Sequence, residues 1–393
     1  MKTIRIEHIV ATGLAIFSML FGAGNLIYPL QVGVESGNLT AFGIFGFLIT
    51  AVCLPVIGLI AMLLFDGDYQ SFYLRLGKPI GHVLLFASIM IIGPILAIPR
   101  ITTLSHTMIA PFLPTFLQTI TPLTSFIFAL LFLGTTFLAT YRENQIVNIL
   151  GKYISPLLLL SLIIIIVSGF FTAENIVPTT NTAWQIFKTN AVRGYETLDL
   201  LGAIFFAAIV LTILKQTIGT GHSVGTLVRV GLQSGIIGVS LLGLVYIGMS
   251  MLGAYHGHGL LHINAGELFR EISFGILGNY GALLIGTAVL MACLSTSIAL
   301  SAVAAEYTHQ VIFKNSIDYV HALMIVLLAC IPLSTIGLGQ VLKLTAGPIV
   351  YIGYPIIIAL TFCNIAYKMW NFKSVKLPVF LAFIVALISY VWF

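Results

Sequence analysis

The sequence predicts an all-helical polytopic membrane protein. Hydrophobic residues make up 59% of its 393 positions, charged residues only 7%, and the mean hydropathy is +1.10. Apolar runs of about 20 residues, the length a helix needs to cross a bilayer, recur along the chain. A soluble domain does not have this composition. A transmembrane β-barrel is excluded by its alternating strand pattern, since runs such as 157–166 are continuously apolar apart from Ser161.

Eleven apolar segments follow in order, at 8–30, 38–65, 80–110, 122–140, 153–172, 197–214, 231–254, 276–303, 318–337, 344–366 and 377–393. A correct topology gathers Lys and Arg on one side. With the N-terminus in the cytoplasm, that side holds Lys2, Arg5, Arg75, Lys78, Arg142, Lys152, Lys215, Arg229, Lys314, Lys368, Lys373 and Lys376. The outer side holds Lys188, Arg193, Arg270 and Lys343, and Arg100 falls within a span. The net charge of +5 is therefore a topology signal and gives no reason to expect a nucleic-acid partner. A cleaved signal is disfavoured, because the first apolar run exceeds a signal core and lacks an Ala-x-Ala exit. The expected location is an inner or plasma membrane, crossed many times. Cys53, Cys293, Cys330 and Cys363 all lie in spans without CxxC spacing and read as small buried apolar residues.

The first span carries Phe21-Gly22-Ala23-Gly24-Asn25-Leu26-Ile27-Tyr28-Pro29 where Leu and Val would suffice. Within a bilayer, loosened backbone survives only where protein, water or ligand satisfies the freed groups. An unwound helix offers N–H groups and partial positive charge to a carboxylate, while its freed carbonyls suit a cation such as sodium. Asn25 adds a neutral side-chain oxygen for an ion. The plainer reading is that the glycines permit close helix packing and Asn25 bonds a neighbour.

The sixth span has a matching defect, Tyr195-Glu196-Thr197-Leu198-Asp199-Leu200-Leu201-Gly202-Ala203. Interruptions five helices apart are what two inverted five-helix halves leave, with substrate held where the broken helices meet. The expected division is 1–172 for the first half, 173–196 for an outer loop, 197–366 for the inverted second half and 367–393 for an additional helix. A carboxylate such as Asp199 is costly in a membrane. It could face a substrate ammonium, hold an ion or accept a proton, unless the helix starts near it and leaves it in a wet loop. Arg100 is a candidate partner for a buried carboxylate or a gate, or it snorkels to an interface.

Three motifs together resemble the branched-chain amino acid:cation symporter family: the run 21–29, Gly93-Pro94-Ile95-Leu96-Ala97-Ile98-Pro99-Arg100, and Ala292-Cys293-Leu294-Ser295-Thr296-Ser297. The resemblance covers roughly 8–366. That family belongs to the amino acid–polyamine–organocation group with the bacterial leucine transporter fold. The resemblance implies uptake of leucine, isoleucine and valine driven by sodium, with no cofactor. It also implies that Ala23 and Gly24 donate to the substrate carboxylate, with Thr197, Leu198, Asp199 and Gly202 completing the substrate site. Asn25 and the Leu20 carbonyl would hold one sodium. Carbonyls of Ser18 and Phe21 with the hydroxyls of Thr296 and Ser297, together with Cys293, would hold a second. One departure is that the family usually has twelve spans, which bears on oligomer contacts more than on transport.

Other features point away from different classes. His256, His258 and His262 lack paired Cys or carboxylate spacing for zinc. Glu306 and His309 mark an interface. No GxxxxGK[ST] is present, which argues against ATP-driven pumping. A channel would not need paired broken helices, and no cluster of His, Asp and Ser near an interface suggests an enzyme. A proton-coupled symporter of another apolar amino acid remains the alternative.

Overall fold

The computed structural model describes residues 5–142, 146, 149–218, 224–260, 263, 265–278, 281–345, 347 and 349–392, so Lys2 and His262 lie outside the described residues. Among these residues every regular element is a helix. Eight helical runs are long and apolar enough to cross a bilayer, and Ile6–Leu20, Tyr319–Ser334 and Lys376–Trp392 are shorter apolar helices beside them.

The chain begins with α1 (Ile6–Leu20) and α2 (Ala23–Ser36), separated by Phe21 and Gly22. Gly37, at φ +49°, turns it into α3 (Thr40–Leu48), which passes through a π-helical stretch, Ile49–Cys53, into α4 (Leu54–Leu64). The short α5 (Tyr69–Leu74) follows, capped by Asp68, which accepts from Ser71 N at 3.1 Å. Next come α6 (Lys78–Met90) and α7 (Ala97–Ile109). They are kinked apart at Gly93 (φ −98°, ψ −117°) and Pro94, where proline removes a helical hydrogen bond. The first half continues through α8 (Thr115–Gln118), α9 (Pro122–Thr140), opened by a Thr121–Thr124 capping box, and α10 (Ser155–Phe171).

Residues 173–196 are not simply the expected loop, because they contain α11 (Ala183–Arg193), opened by a Thr182–Gln185 capping box. Its polar residues hid it from a hydropathy reading. A 3₁₀ turn, Gly194–Thr197, and a left-handed Leu198 lead into α12 (Asp199–Ile218). The sixth segment is thus broken as expected, but its first half-helix lies upstream of residue 197. The remaining helices are α13 (Val224–His256), α14 (Ala265–Leu277), α15 (Gly281–Tyr307), α16 (Tyr319–Ser334), α17 (Leu338–Thr345), α18 (Tyr354–Trp370) and α19 (Lys376–Trp392).

The two broken helices exchange partners. Both halves of the first, α1 and α2, pack along α13, while the halves of the second, α11 and α12, pack on α3 and α4. This reciprocity is what an inverted repeat produces. Glycine brings the backbones together: a Cβ on Gly253 would strike the Leu30 carbonyl, and one on Gly238 would lie 2.6 Å from Gly13 O. Close packing is therefore the role of these glycines on the α1–α2 and α13 faces. Large apolar side chains such as Phe45, Val83 and Leu131 cover the outside. Cys293, Cys330 and Cys363 are buried as expected. Cys53, the last residue of the π-helical stretch, is instead exposed.

Candidate functional site

The first break arises because Gly22 takes an extended conformation (φ −107°, ψ −161°) between α1 and α2. Phe21 N still donates to Phe17 O at 2.8 Å, and Gly22 N donates to Leu20 O at 2.9 Å. Ala23 and Gly24 then occupy the first turn of α2, where N–H groups have no intrahelical acceptor. The last carbonyls of α1 are likewise released. Met19 O accepts from Thr296 Oγ1 at 3.0 Å, and Leu20 O accepts from Asn25 Nδ2 at 2.9 Å.

The second break is held from outside. Leu198 sits at φ +63°, a conformation that L-residues adopt only at a cost. Arg100 donates through Nη1 to Glu196 O at 2.6 Å and through Nη2 to Thr197 O at 3.2 Å. Leu200 N, freed at the start of α12, donates to Tyr354 Oη at 3.1 Å. Arg193 and Glu35 form a 2.8 Å ion pair that ties α11 to α2.

The two breaks meet through Asn25 and Asp199. Asn25 Nδ2 donates to Asp199 Oδ2 at 2.9 Å and also contacts the Tyr246 hydroxyl, which itself donates to the same carboxylate oxygen at 2.9 Å. Asp199 begins α12 and is nevertheless only 5% exposed, so a helix start at this residue does not put it in a wet loop. Leu20, Ala23, Asn25, Arg100, Thr197, Leu198, Asp199, Gly202 and Thr296 line one small cavity of about 30 Å³, enough for about one water. Phe206 and Leu300 form part of its apolar wall. About one turn further along α12 and α15, a wider cleft of about 250 Å³ is lined by Tyr69, Phe205, Ala302 and Glu306.

Other expected residues stand apart from this cavity. Gly24 lies against Tyr28 and Arg100, where an added Cβ would be 3.0 Å from the ring and 3.2 Å from Nη2. Ser18 Oγ bonds back to Ala15 O at 3.1 Å, and Phe21 stacks on Phe17 with ring centroids 5.4 Å apart. Cys293 is buried in α15. The Ser297 hydroxyl is turned away, 3.2 Å from Thr136 Oγ1 on α9. Thr296 thus bonds the end of α1 while its neighbour Ser297 pairs with α9. Sequence reading missed Tyr246 and Tyr354. Only their place among apolar residues hinted at them, because a buried tyrosine needs a hydrogen-bond partner.

Two broken helices meeting at a small cavity with Asn25, Arg100 and Asp199 in its wall, within a helical membrane bundle, define the class, a transporter fold. The chain matches the branched-chain amino acid transport protein family over residues 5–392 and belongs to it. It is 29% identical over 371 residues to the branched-chain amino acid permease BraB of Bacillus subtilis, covering 92% of this chain and 81% of that one. It is 27% identical over 404 residues to the branched-chain amino acid permease BrnQ of Escherichia coli, covering 98% and 87%. Among solved structures, MhsT in complex with L-phenylalanine aligns with a TM-score of 0.59 at 17% identity, covering 97% of this chain and 98% of that chain. Mhp1, a nucleobase-cation-symport-1 family transporter, aligns with a TM-score of 0.59 at 13% identity, covering 98% and 92%. Membership of the permease family supports transport of branched-chain amino acids.

Proposed function

We propose that this protein imports leucine, isoleucine and valine by symport with sodium. The observation that carries the reading is the convergence of Leu20 O, Asp199 Oδ2 and the Tyr246 hydroxyl on the side-chain amide of Asn25. An amide nitrogen has two hydrogens for these three oxygens. Rotating the Asn25 amide brings its own oxygen into the same group, giving hard oxygen ligands and one negative charge, a donor set that suits sodium. The first-turn N–H groups of Ala23 and Gly24 would receive the substrate carboxylate. The closed cavity of about 30 Å³ holds about one water, so its walls at Thr197, Leu198, Gly202, Phe206 and Leu300 would have to separate to take the rest of the substrate. The Met19 carbonyl and Thr296 hydroxyl would contribute to a second ion position once their mutual hydrogen bond is exchanged for the ion.

Residues 1–172 and 197–366, joined through 173–196 and followed by 367–393, would act as the two inverted halves and an accessory helix, with α11 assigned to the second half. The distribution of Lys and Arg supports an inner-membrane orientation with a cytoplasmic N-terminus. Proton coupling is the second reading, favoured by the burial of Asp199.

Radiolabelled leucine uptake into proteoliposomes decides between them. An inward sodium gradient at uniform pH should drive accumulation above equilibration. Accumulation with a proton gradient alone transfers the coupling to protons, and no accumulation under either gradient ends the symport reading.

A further inference from the structure

Arg100 is the one cation among the described residues lining the cavity. The Gly93–Pro94 kink sets the direction of α7, and Arg100 is 4% exposed in its second turn. A guanidinium has five N–H donors in a fixed fork. One from Nη1 is used by Glu196 O and one from Nη2 by Thr197 O, while Nε is buried with no hydrogen-bond partner. One hydrogen each on Nε, Nη1 and Nη2 is therefore left over, and Nε with Nη2 forms an edge of the kind that receives a carboxylate in bidentate fashion.

The placement of that edge is specific. Nη2 lies 3.2 Å from where a Cβ on Gly24, in the first turn of α2, would stand. The cavity's negative charge, Asp199, is engaged instead by Asn25 and Tyr246. The two charges are thus held by different neighbours, leaving each able to address one end of a zwitterion.

We propose that Arg100 binds the α-carboxylate of the transported amino acid through Nε and Nη2, alongside the N–H groups of Ala23 and Gly24. This deepens the reading of the cavity as the amino-acid site and rests on it. It makes a free carboxylate the feature selected, so amides and amines with the same side chain are rejected. A buried guanidinium deprived of its anion leaves unsatisfied donors, whereas a neutral replacement removes the distinction.

The test measures dissociation constants of leucine and leucinamide by thermal shift on the purified full chain in saturating sodium. In Arg100→Gln, leucine binding should weaken roughly 10- to 100-fold, and the leucinamide-to-leucine ratio should fall by a similar factor. Arg100→Lys, which keeps the charge but loses the fork, should lie between wild type and Arg100→Gln. Unchanged leucine binding overturns the proposal, as does equal weakening of both ligands, which a role confined to holding Glu196 and Thr197 would give. If Arg100→Gln does not fold, the ratio in Arg100→Lys decides, and an unchanged ratio there also overturns it. A wild-type protein that binds no leucine would instead refute the amino-acid reading of the cavity.

Discussion

Tyr246 donates its hydroxyl hydrogen to Asp199 Oδ2 at 2.9 Å, joining α13 to the start of α12 across the site where Asn25 enters from α2. One side chain thus ties together three elements, and both broken helices depend on it. Tyr246→Phe keeps the ring, which packs edge-on to Phe47 with centroids 5.2 Å apart, and removes only the polar partner. Leaving a buried acceptor short of a donor costs about 1–3 kcal/mol. The expected outcome is a rise of roughly tenfold in the sodium concentration for half-maximal leucine uptake. An unchanged sodium requirement would remove Tyr246 from the ion site.

Asp199→Asn tests the charge separately from the shape. The amide can still accept from Asn25 and Tyr246, so the local packing should persist, but a cation loses its only anionic ligand in the group. Stabilisation by sodium without amino acid, read as a thermal shift, should fall by at least about tenfold in apparent affinity. Equal stabilisation of variant and wild type would place the ion elsewhere.

The first break was legible because Gly22, Gly24 and Asn25 are costly substitutes for Leu and Val in a span, and the cost pointed to a use. The second was half legible. Asp199 betrayed it, but α11 carries Gln185, Lys188, Asn190 and Arg193, and its amphipathic face against α3 left no hydropathy signal. Tyr246 and Tyr354 were not legible, since a tyrosine among aliphatic residues looks alike whether it lines a lipid face or a polar site. Nor could the triplet Ser295-Thr296-Ser297 reveal which hydroxyl faces the break, because that depends on the rotation of α15 about its axis. Arg100 was recognisable as exceptional, while its acceptors, the Glu196 and Thr197 carbonyls, exist only once α11 has ended.

The contact between α2 and α13 provides a test of packing rather than chemistry. An added Cβ on Gly253 would collide with Leu30 O and lie 3.1 Å from Leu30 Cα. Gly253→Ala should lower stability by about 1–3 kcal/mol, as overpacking does. Gly286→Ala, on α15 with nothing within 4 Å of the added carbon, should be neutral or stabilise by up to about 1 kcal/mol. Thermal unfolding of the two detergent-solubilised variants separates them, and equal midpoints would contradict the close α2–α13 approach.

Thr296 and Ser297 are adjacent in sequence but serve different neighbours. Thr296 Oγ1 bonds Met19 O at 3.0 Å, and an added Cβ on Gly22 would lie 2.9 Å from that same oxygen, so this hydroxyl faces the first break. Ser297 Oγ pairs with Thr136 Oγ1 on α9, away from α1. Thr296→Ala should raise the sodium needed for half-maximal uptake by roughly tenfold, the effect of losing a buried oxygen ligand. Ser297→Ala should leave the sodium requirement within about twofold of wild type and cost about 1 kcal/mol of stability through its lost hydrogen bond. Uptake measured across a sodium titration checks both. Equal shifts in the two variants would mean that α15 rotates during transport to present both hydroxyls to the ion, and no shift in either would remove α15 from ion binding.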